Sequence, residues 1–195
     1  MTFRVLIDAC VLINYPVTDS LLRFAEVGLY HPVWSSQILD EVERNLIARL
    51  HVPEAKARRR IAAMQAAFPA SEVTGYGGLI SAMSNDAKDR HVLAAAVRAQ
   101  VDLIVTANLN DFPLEALQPY GIEALHPDEF FLAQLTLDSM LVGRCLREPH
   151  QALKRPTMSL AELYGALRNG VPRFVAEVEA LDYGSDEDAT GAPAR

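Results

Sequence analysis

Apolar residues follow two patterns along this chain: short unbroken runs, and longer stretches in which they recur with helical spacing. Phe3-Arg4-Val5-Leu6-Ile7 and Asp102-Leu103-Ile104-Val105-Thr106 are β-rich runs of the kind found in buried strands, and Ile122-Glu123-Ala124-Leu125 is a third. His31-Pro32-Val33-Trp34 reads as a short extended segment, and a brief strand is expected around Val73. Helical patterns fill the intervals. After a break at Pro16, Thr18-Asp19-Ser20 offers a start before Leu21, Leu22, Phe24, Ala25 and Val27, with Gly28 as the stop. Ser35 or Ser36 caps a helix carrying Ile38, Leu39, Val42, Leu46 and Leu50 on one side. Pro53 opens an Ala- and Arg-rich helix to about Phe68, and Lys88 to Ala99 forms another, whose small side chains allow close packing on a sheet. Pro127-Asp128-Glu129 opens a helix through Leu135.

Strands alternating with helices predict an α/β fold with a central, mostly parallel sheet. Beyond Leu137 the pattern is helical only, with breaks at Pro149, Pro156 and Pro172. The expected organisation is a core over residues 1–136, a helical C-terminal extension over 137–183, and an acidic, small-residue tail over 184–195 without fixed structure.

Composition narrows the class. Half of the 195 residues are hydrophobic and 22% are charged, which suits a globular domain and excludes wholesale disorder. No apolar run approaches the ~20 residues of a membrane-spanning helix, and the first residues show no secretory pattern, so a cytoplasmic protein without membrane contact is expected. Cys10 and Cys145 fit neither a disulfide framework nor a zinc site and read as reduced thiols. The net charge of −7 has the wrong sign for a non-specific nucleic-acid binder. Two basic stretches remain, Lys56-Ala57-Arg58-Arg59-Arg60 and the set Arg144, Arg147, Lys154, Arg155, Arg168 and Arg173; the plainer reading of the first is a solvated helix face.

The acids are more informative. In an open α/β sheet, ligands bind beyond the carboxyl ends of the strands. Asp8 directly follows the first strand and Asp111 lies in the turn after Thr106, while Asp89 begins the Ala-rich helix and Glu41 sits within the helix after Trp34. Converging, they would make an oxygen-rich cation site. Taken singly, each aspartate reads more simply as a helix cap, where Asp is most favoured. Asp8 suits that reading least, because an acid ending an apolar strand is substantially buried and needs compensation. On a helical wheel Glu43 lies nearer the centre of the apolar arc than Glu41, so spacing alone leaves the set open.

Four segments, in order, resemble those of a known family: Val5-Leu6-Ile7-Asp8-Ala9-Cys10-Val11-Leu12, Ile38-Leu39-Asp40-Glu41-Val42-Glu43-Arg44-Asn45-Leu46, Asp89-Arg90-His91-Val92-Leu93-Ala94-Ala95-Ala96, and Val105-Thr106-Ala107-Asn108-Leu109-Asn110-Asp111-Phe112. The chain looks like a PIN-domain protein of the VapC-like toxin branch, in a longer subgroup with a helical C-terminal extension. The resemblance implies a three-layer α/β/α core and metal-binding, catalytic carboxylates at Asp8, Glu41, Asp89 and Asp111, with Thr106 and Asn108 as supporting polar groups. It prefers Glu41 to Glu43 because the family glutamate precedes an aliphatic residue, here Val42. It also implies an endoribonuclease that uses Mg²⁺ or Mn²⁺ and an activated water, leaves a 3′-hydroxyl and a 5′-phosphate, is neutralised by a cognate antitoxin, and often dimerises. The family commonly has Asn where this chain has Cys10, and a thiol is the weaker partner for a carboxylate. His91 beside Asp89 reads as a packing or hydrogen-bonding residue, and Arg90 as a partial counter-charge.

Two other readings fit the residues less well. A dehalogenase-type phosphatase wants a second aspartate where Cys10 stands, a receiver domain wants an acidic pair and a lysine that are missing, and there is no GxxxxGK[ST] or GxGxxG loop. A catalytically inactive PIN-like module, binding RNA or protein, would be announced by lost carboxylates, and all four positions are filled.

Overall fold

The computed structural model describes residues 3–147 and 158–189. The chain divides into two compact units, Met1–Pro127 and Asp128–Arg195.

In the first unit the apolar runs form strands β1 (Arg4–Ile7), β2 (His31–Ser35), β3 (Glu72–Val73), β4 (Leu103–Val105) and β5 (Glu123–Leu125). Every pairing is parallel and the order is β3-β2-β1-β4-β5, an α/β architecture with a five-stranded parallel sheet. Val5, Leu6, Ile7, Ile104 and Val105 are wholly buried, which is why these strands read as continuous apolar runs rather than as an alternation. Helices α1 (Ala9–Leu12) and α2 (Tyr15–Glu26) connect β1 to β2. Next, α3 (Ser36–Ala48) and α4 (Glu54–Ala67) lead to β3, α5 (Arg90–Ala99) crosses back to β4, and α6 (Leu114–Leu117) leads to β5. Right-handed crossovers that first step away from β1 and then return past it place their helices on opposite faces of the sheet.

Two local expectations need correction. The helix expected to begin at Thr18 begins at Tyr15, with Pro16 in its first turn. Proline is well suited there, since its missing N–H would have no intrahelical partner. Thr18 is buried instead, its hydroxyl donating to the carbonyls of Val11, Leu12 and Asn14 at 3.3, 3.0 and 2.9 Å. The glycine-containing loop before Asn85 also holds a short 3₁₀ segment, Gly77–Ala82.

The second unit is helical. It contains α7 (Pro127–Leu137), α8 (Ser139–Arg147), α9 (Leu160–Leu167) and α10 (Pro172–Ala189). The carboxylate of Asp128 accepts the free N–H groups of Arg173 and Phe174 at the start of α10, at 3.1 and 2.9 Å. The rings of Phe131 and Phe174 meet edge to face at 4.9 Å. This unit begins at Asp128, in the first turn of α7, whereas the pattern along the chain places the boundary after residue 136. Residues 184–189 of the expected tail lie in the backbone of α10; residues 190–195, like Lys154 and Arg155, lie outside the described residues. Among the described residues, no helix is long and apolar enough to cross a membrane.

Candidate metal centre

The order β3-β2-β1-β4-β5 reverses direction between β1 and β4, and the crevice outside the carboxyl ends of two such strands is where α/β sheets bind ligands. The ladder continues past both strands: the Asp8 N–H donates to Val105 O and the Thr106 N–H to Leu125 O, each at 3.0 Å. Asp8 and Thr106 therefore stand side by side. The Thr106 hydroxyl donates to Asp8 Oδ2 at 2.7 Å and the Cys10 thiol to the same oxygen at 3.0 Å. Asp8 is 4% exposed, and these two bonds supply the compensation that its burial requires.

Capping does not account for the acids. Asp8 occupies the position before α1 and Asp89 the position before α5, yet neither side chain makes a cap hydrogen bond among the described residues. On α3, begun by the Ser35 hydroxyl accepting from the Ile38 N–H, the two glutamates diverge. Glu43 pairs with Arg58 of α4 at 3.0 Å, while Glu41, one turn before Arg44 and Asn45, is partly buried and feels the charge of Asp8. Asp111 ends the 3₁₀ turn Leu109–Asp111, and a polar depression is lined by Ala107, Asn108, Leu109, Asn110 and Asp111. Asn108 enters the network through its backbone: its N–H donates to Thr106 Oγ1 at 3.0 Å and its carbonyl accepts from the Asp111 N–H at 3.0 Å.

Asp86 joins the group unforeseen. Its N–H donates to Asp111 O at 3.2 Å and its own carbonyl accepts from the Asp89 N–H at 3.0 Å. One oxygen from each of the Asp86, Asp89 and Asp111 carboxylates falls within 4.8 Å of the others. The only sequence signal was an acid one turn ahead of Asp89 in a loop, where apolar periodicity says nothing.

The electrostatics show the convergence. The Asp89 carboxyl is pushed up from 3.8 to about 7, first by burial and then by the charges of Asp8, Asp111, Glu41 and Asp86. Glu41 is raised too, by burial and Asp8, with Arg44, Arg49 and a hydrogen bond from Asn45 pulling the other way. Burial lowers the His91 imidazole, Asp8 opposes that effect and Arg44 adds to it; the ring Nε2 is 3.9 Å from Glu41 Oε2. The charges that push Asp89 up, those of Asp8, Asp111, Glu41 and Asp86, are all acidic, and Arg90 donates to Asn85 O at 3.3 Å. A half-buried acid held partly protonated by its burial and its acidic neighbours is a group that a divalent cation would relieve. An all-oxygen carboxylate set suits Mg²⁺ or Mn²⁺ and not a softer, sulfur-seeking ion.

Thr106 is fully buried and serves both Asp8 and the turn. Thr106→Val is expected to strand the Asn108 N–H and weaken the hold on Asp8, at a cost of about 2 kcal/mol. In a protein of this size that lowers the melting temperature by roughly 4–8 °C. A thermal melt unchanged from the parent would deny Thr106 this role.

Two residues of the basic stretch on α4 are engaged within the fold. Arg58 bridges Glu43 and Glu54, and Arg60 donates to Leu12 O at 2.6 Å with its guanidinium 5.0 Å from the Tyr15 ring centre.

Comparison with known proteins is consistent with this arrangement. A family model described as PIN domain matches residues 4–110, and one described as VapC50 C-terminal domain matches residues 127–180. A Mycobacterium tuberculosis (strain H37Rv) protein named "Putative ribonuclease VapC50" is 47% identical over 107 residues, covering 55% of this chain and 63% of that protein. The match thus spans less than two thirds of that relative's length. No solved structure matches the chain.

Proposed function

The chain belongs to the PIN-domain family, with a C-terminal region of the VapC50 kind, and from that premise we propose that it is a metal-dependent endoribonuclease, the toxin of a VapBC-type toxin–antitoxin pair. The observation that carries this reading is the concentration of acids from separate segments on one carboxyl, Asp89, at the sheet's switch point. Asp8, Glu41, Asp89 and Asp111 would hold the cation, with Asp86 within reach of the same place. The chemistry a bound Mg²⁺ or Mn²⁺ supplies is polarisation of the scissile phosphate and a lower pKa for the attacking water.

The protein's own part is positional and electrostatic. Thr106 and Cys10 fix Asp8. Asp89 is about half protonated at neutral pH for as long as its acidic neighbours are uncompensated, and would ionise fully beside a compensating positive charge. Burial keeps the His91 ring neutral at that pH, so it adds no fixed positive charge to compete with a cation. The polar turn Ala107–Asp111 lines the open side, where an RNA backbone would lie. Hydrolysis there leaves a 3′-hydroxyl and a 5′-phosphate. A small antitoxin protein is the expected partner, and a homodimer the expected assembly.

The direct test is incubation of the purified protein with single-stranded RNA and Mn²⁺, followed by end mapping. Cleavage that stops with chelator and with Asp89→Asn is expected. Metal-supported cleavage undiminished in Asp89→Asn would overturn the assignment. RNA binding without cleavage at any Mn²⁺ concentration would leave a binding module instead.

A further inference from the structure

Cys10 stands where the family commonly has Asn, and the structure gives it a definite task. Two consecutive backbone amides of the turn after β4 feed, through two side chains, into one carboxylate oxygen. The Ala107 N–H donates to Cys10 Sγ at 3.3 Å and the thiol donates on to Asp8 Oδ2 at 3.0 Å. In parallel, the Asn108 N–H donates to Thr106 Oγ1 at 3.0 Å and the hydroxyl donates on to the same Oδ2 at 2.7 Å. A hydroxyl or thiol whose lone pair already holds an N–H has its proton directed elsewhere, so both protons point at Asp8. Sγ and Thr106 Oγ1 are 3.5 Å apart, close enough to brace one another while each keeps its proton for the acid.

We propose that Cys10 is a positioning residue: with Thr106 it occupies Asp8 Oδ2 and leaves Oδ1 as the oxygen presented to a divalent cation. The proposal rests on the reading of this centre as a metal site. It also gives sulfur a place beside that site without making it a ligand. A thiol is the weaker donor but the larger atom, and its size lets one side chain on α1 reach both the acid and the Ala107 amide. The link ties the carboxyl end of β1 to the turn that carries Asn108 and Asp111, so ligands from both strands move together. Groups that orient a metal ligand in this way typically matter about 10–100-fold for metal affinity.

The test is Mn²⁺ binding to the full chain, measured by titration calorimetry on the parent and on Cys10→Ala, Cys10→Ser and Asp8→Asn. Cys10→Ala is expected to bind Mn²⁺ about tenfold more weakly, the low end of that range because Thr106 remains. Cys10→Ser, which restores a donor of the same valence, is expected to recover most of the loss. A merely space-filling Cys10 would show no such rescue, and Cys10→Ala binding as tightly as the parent overturns the proposal. A second measurement needs no variant: the Co²⁺-loaded parent is expected to lack a sulfur-to-cobalt charge-transfer band, and its presence would make Cys10 a ligand and overturn the positioning role. Asp8→Asn separates the two levels. If it too binds Mn²⁺ like the parent, the metal-site reading falls; if it alone loses binding, only the role of Cys10 does.

Discussion

Asp8→Asn is expected to lose Mn²⁺-supported RNA cleavage by at least about 10³-fold, roughly 4 kcal/mol of transition-state stabilisation, while its metal-free form is expected to melt no lower than the parent. The two halves of that result have separate causes. Asp8 is the acid whose charge reaches the others: it raises both Glu41 and Asp89. An amide keeps the shape and still accepts from Thr106 and Cys10, so the local hydrogen bonds survive, but the charge that attracts a cation is gone. Removing that charge also relieves repulsion on Asp89 and Glu41, which favours the folded state without metal. Asp8→Ala provides the contrast. It takes the acceptor from the buried Thr106 hydroxyl and the part-buried Cys10 thiol and is expected to cost about 2 kcal/mol of stability. Undiminished cleavage by Asp8→Asn, with product ends and metal requirement unchanged, would remove Asp8 from the site. A large fall in the melting temperature of that variant would instead assign Asp8 to the fold.

The metal-free protein is expected to lose stability between about pH 4 and pH 7, and saturating Mn²⁺ to abolish the loss. The sign follows from Asp89. Its carboxyl rises from 3.8 in an open chain to about 7 in the fold, so between those values the folded protein holds a proton that the unfolded chain has released. Stability therefore falls as pH rises through that window, and the cost is complete above pH 7. Glu41, also raised by burial and Asp8, acts in the same direction. His91, lowered from 6.5, opposes them, since below that value the unfolded chain binds the extra proton. Asp89 is only partly buried, and solvent screening discounts its shift to about 1–2 kcal/mol. That corresponds to roughly 2–8 °C in melting temperature. A cation that binds only the folded form removes the penalty and adds its own stabilisation, about 2.7 kcal/mol at a hundredfold excess over its dissociation constant. Thermal melts across this pH range, with Mn²⁺ and with chelator, are the measurement. A profile that is flat or rising without metal, and unmoved by Mn²⁺, would mean that the acids do not share a field. In Asp8→Asn the slope should be shallower, because one of the charges that raises Asp89 is absent.

Much of the architecture was legible along the chain. The runs around Leu6 and Ile104 announced buried parallel strands, the Ala-rich stretch before Ala99 announced a closely packed helix, and four short segments in order pointed to the family and its carboxylates. Strand-forming and helix-forming patterns depend on neighbours a few positions away, and the sequence states those neighbours directly. Where a side chain points from a loop or a helix flank depends on residues far along the chain. The wheel of α3 leaned toward Glu43; packing against α4 gives Glu43 to Arg58 and leaves Glu41 in the field of Asp8. Asp86 looked like loop polarity until the turn at Asp111 folded against it. Cys10 looked like a lost amide, yet its thiol meets Asp8 and an amide 97 positions away. Periodicity and resemblance thus determined the strands, the helices and the acids to consider. Only the reversal of strand order at β1 and β4, a product of long-range packing, decided which acids share a field and which donors hold them.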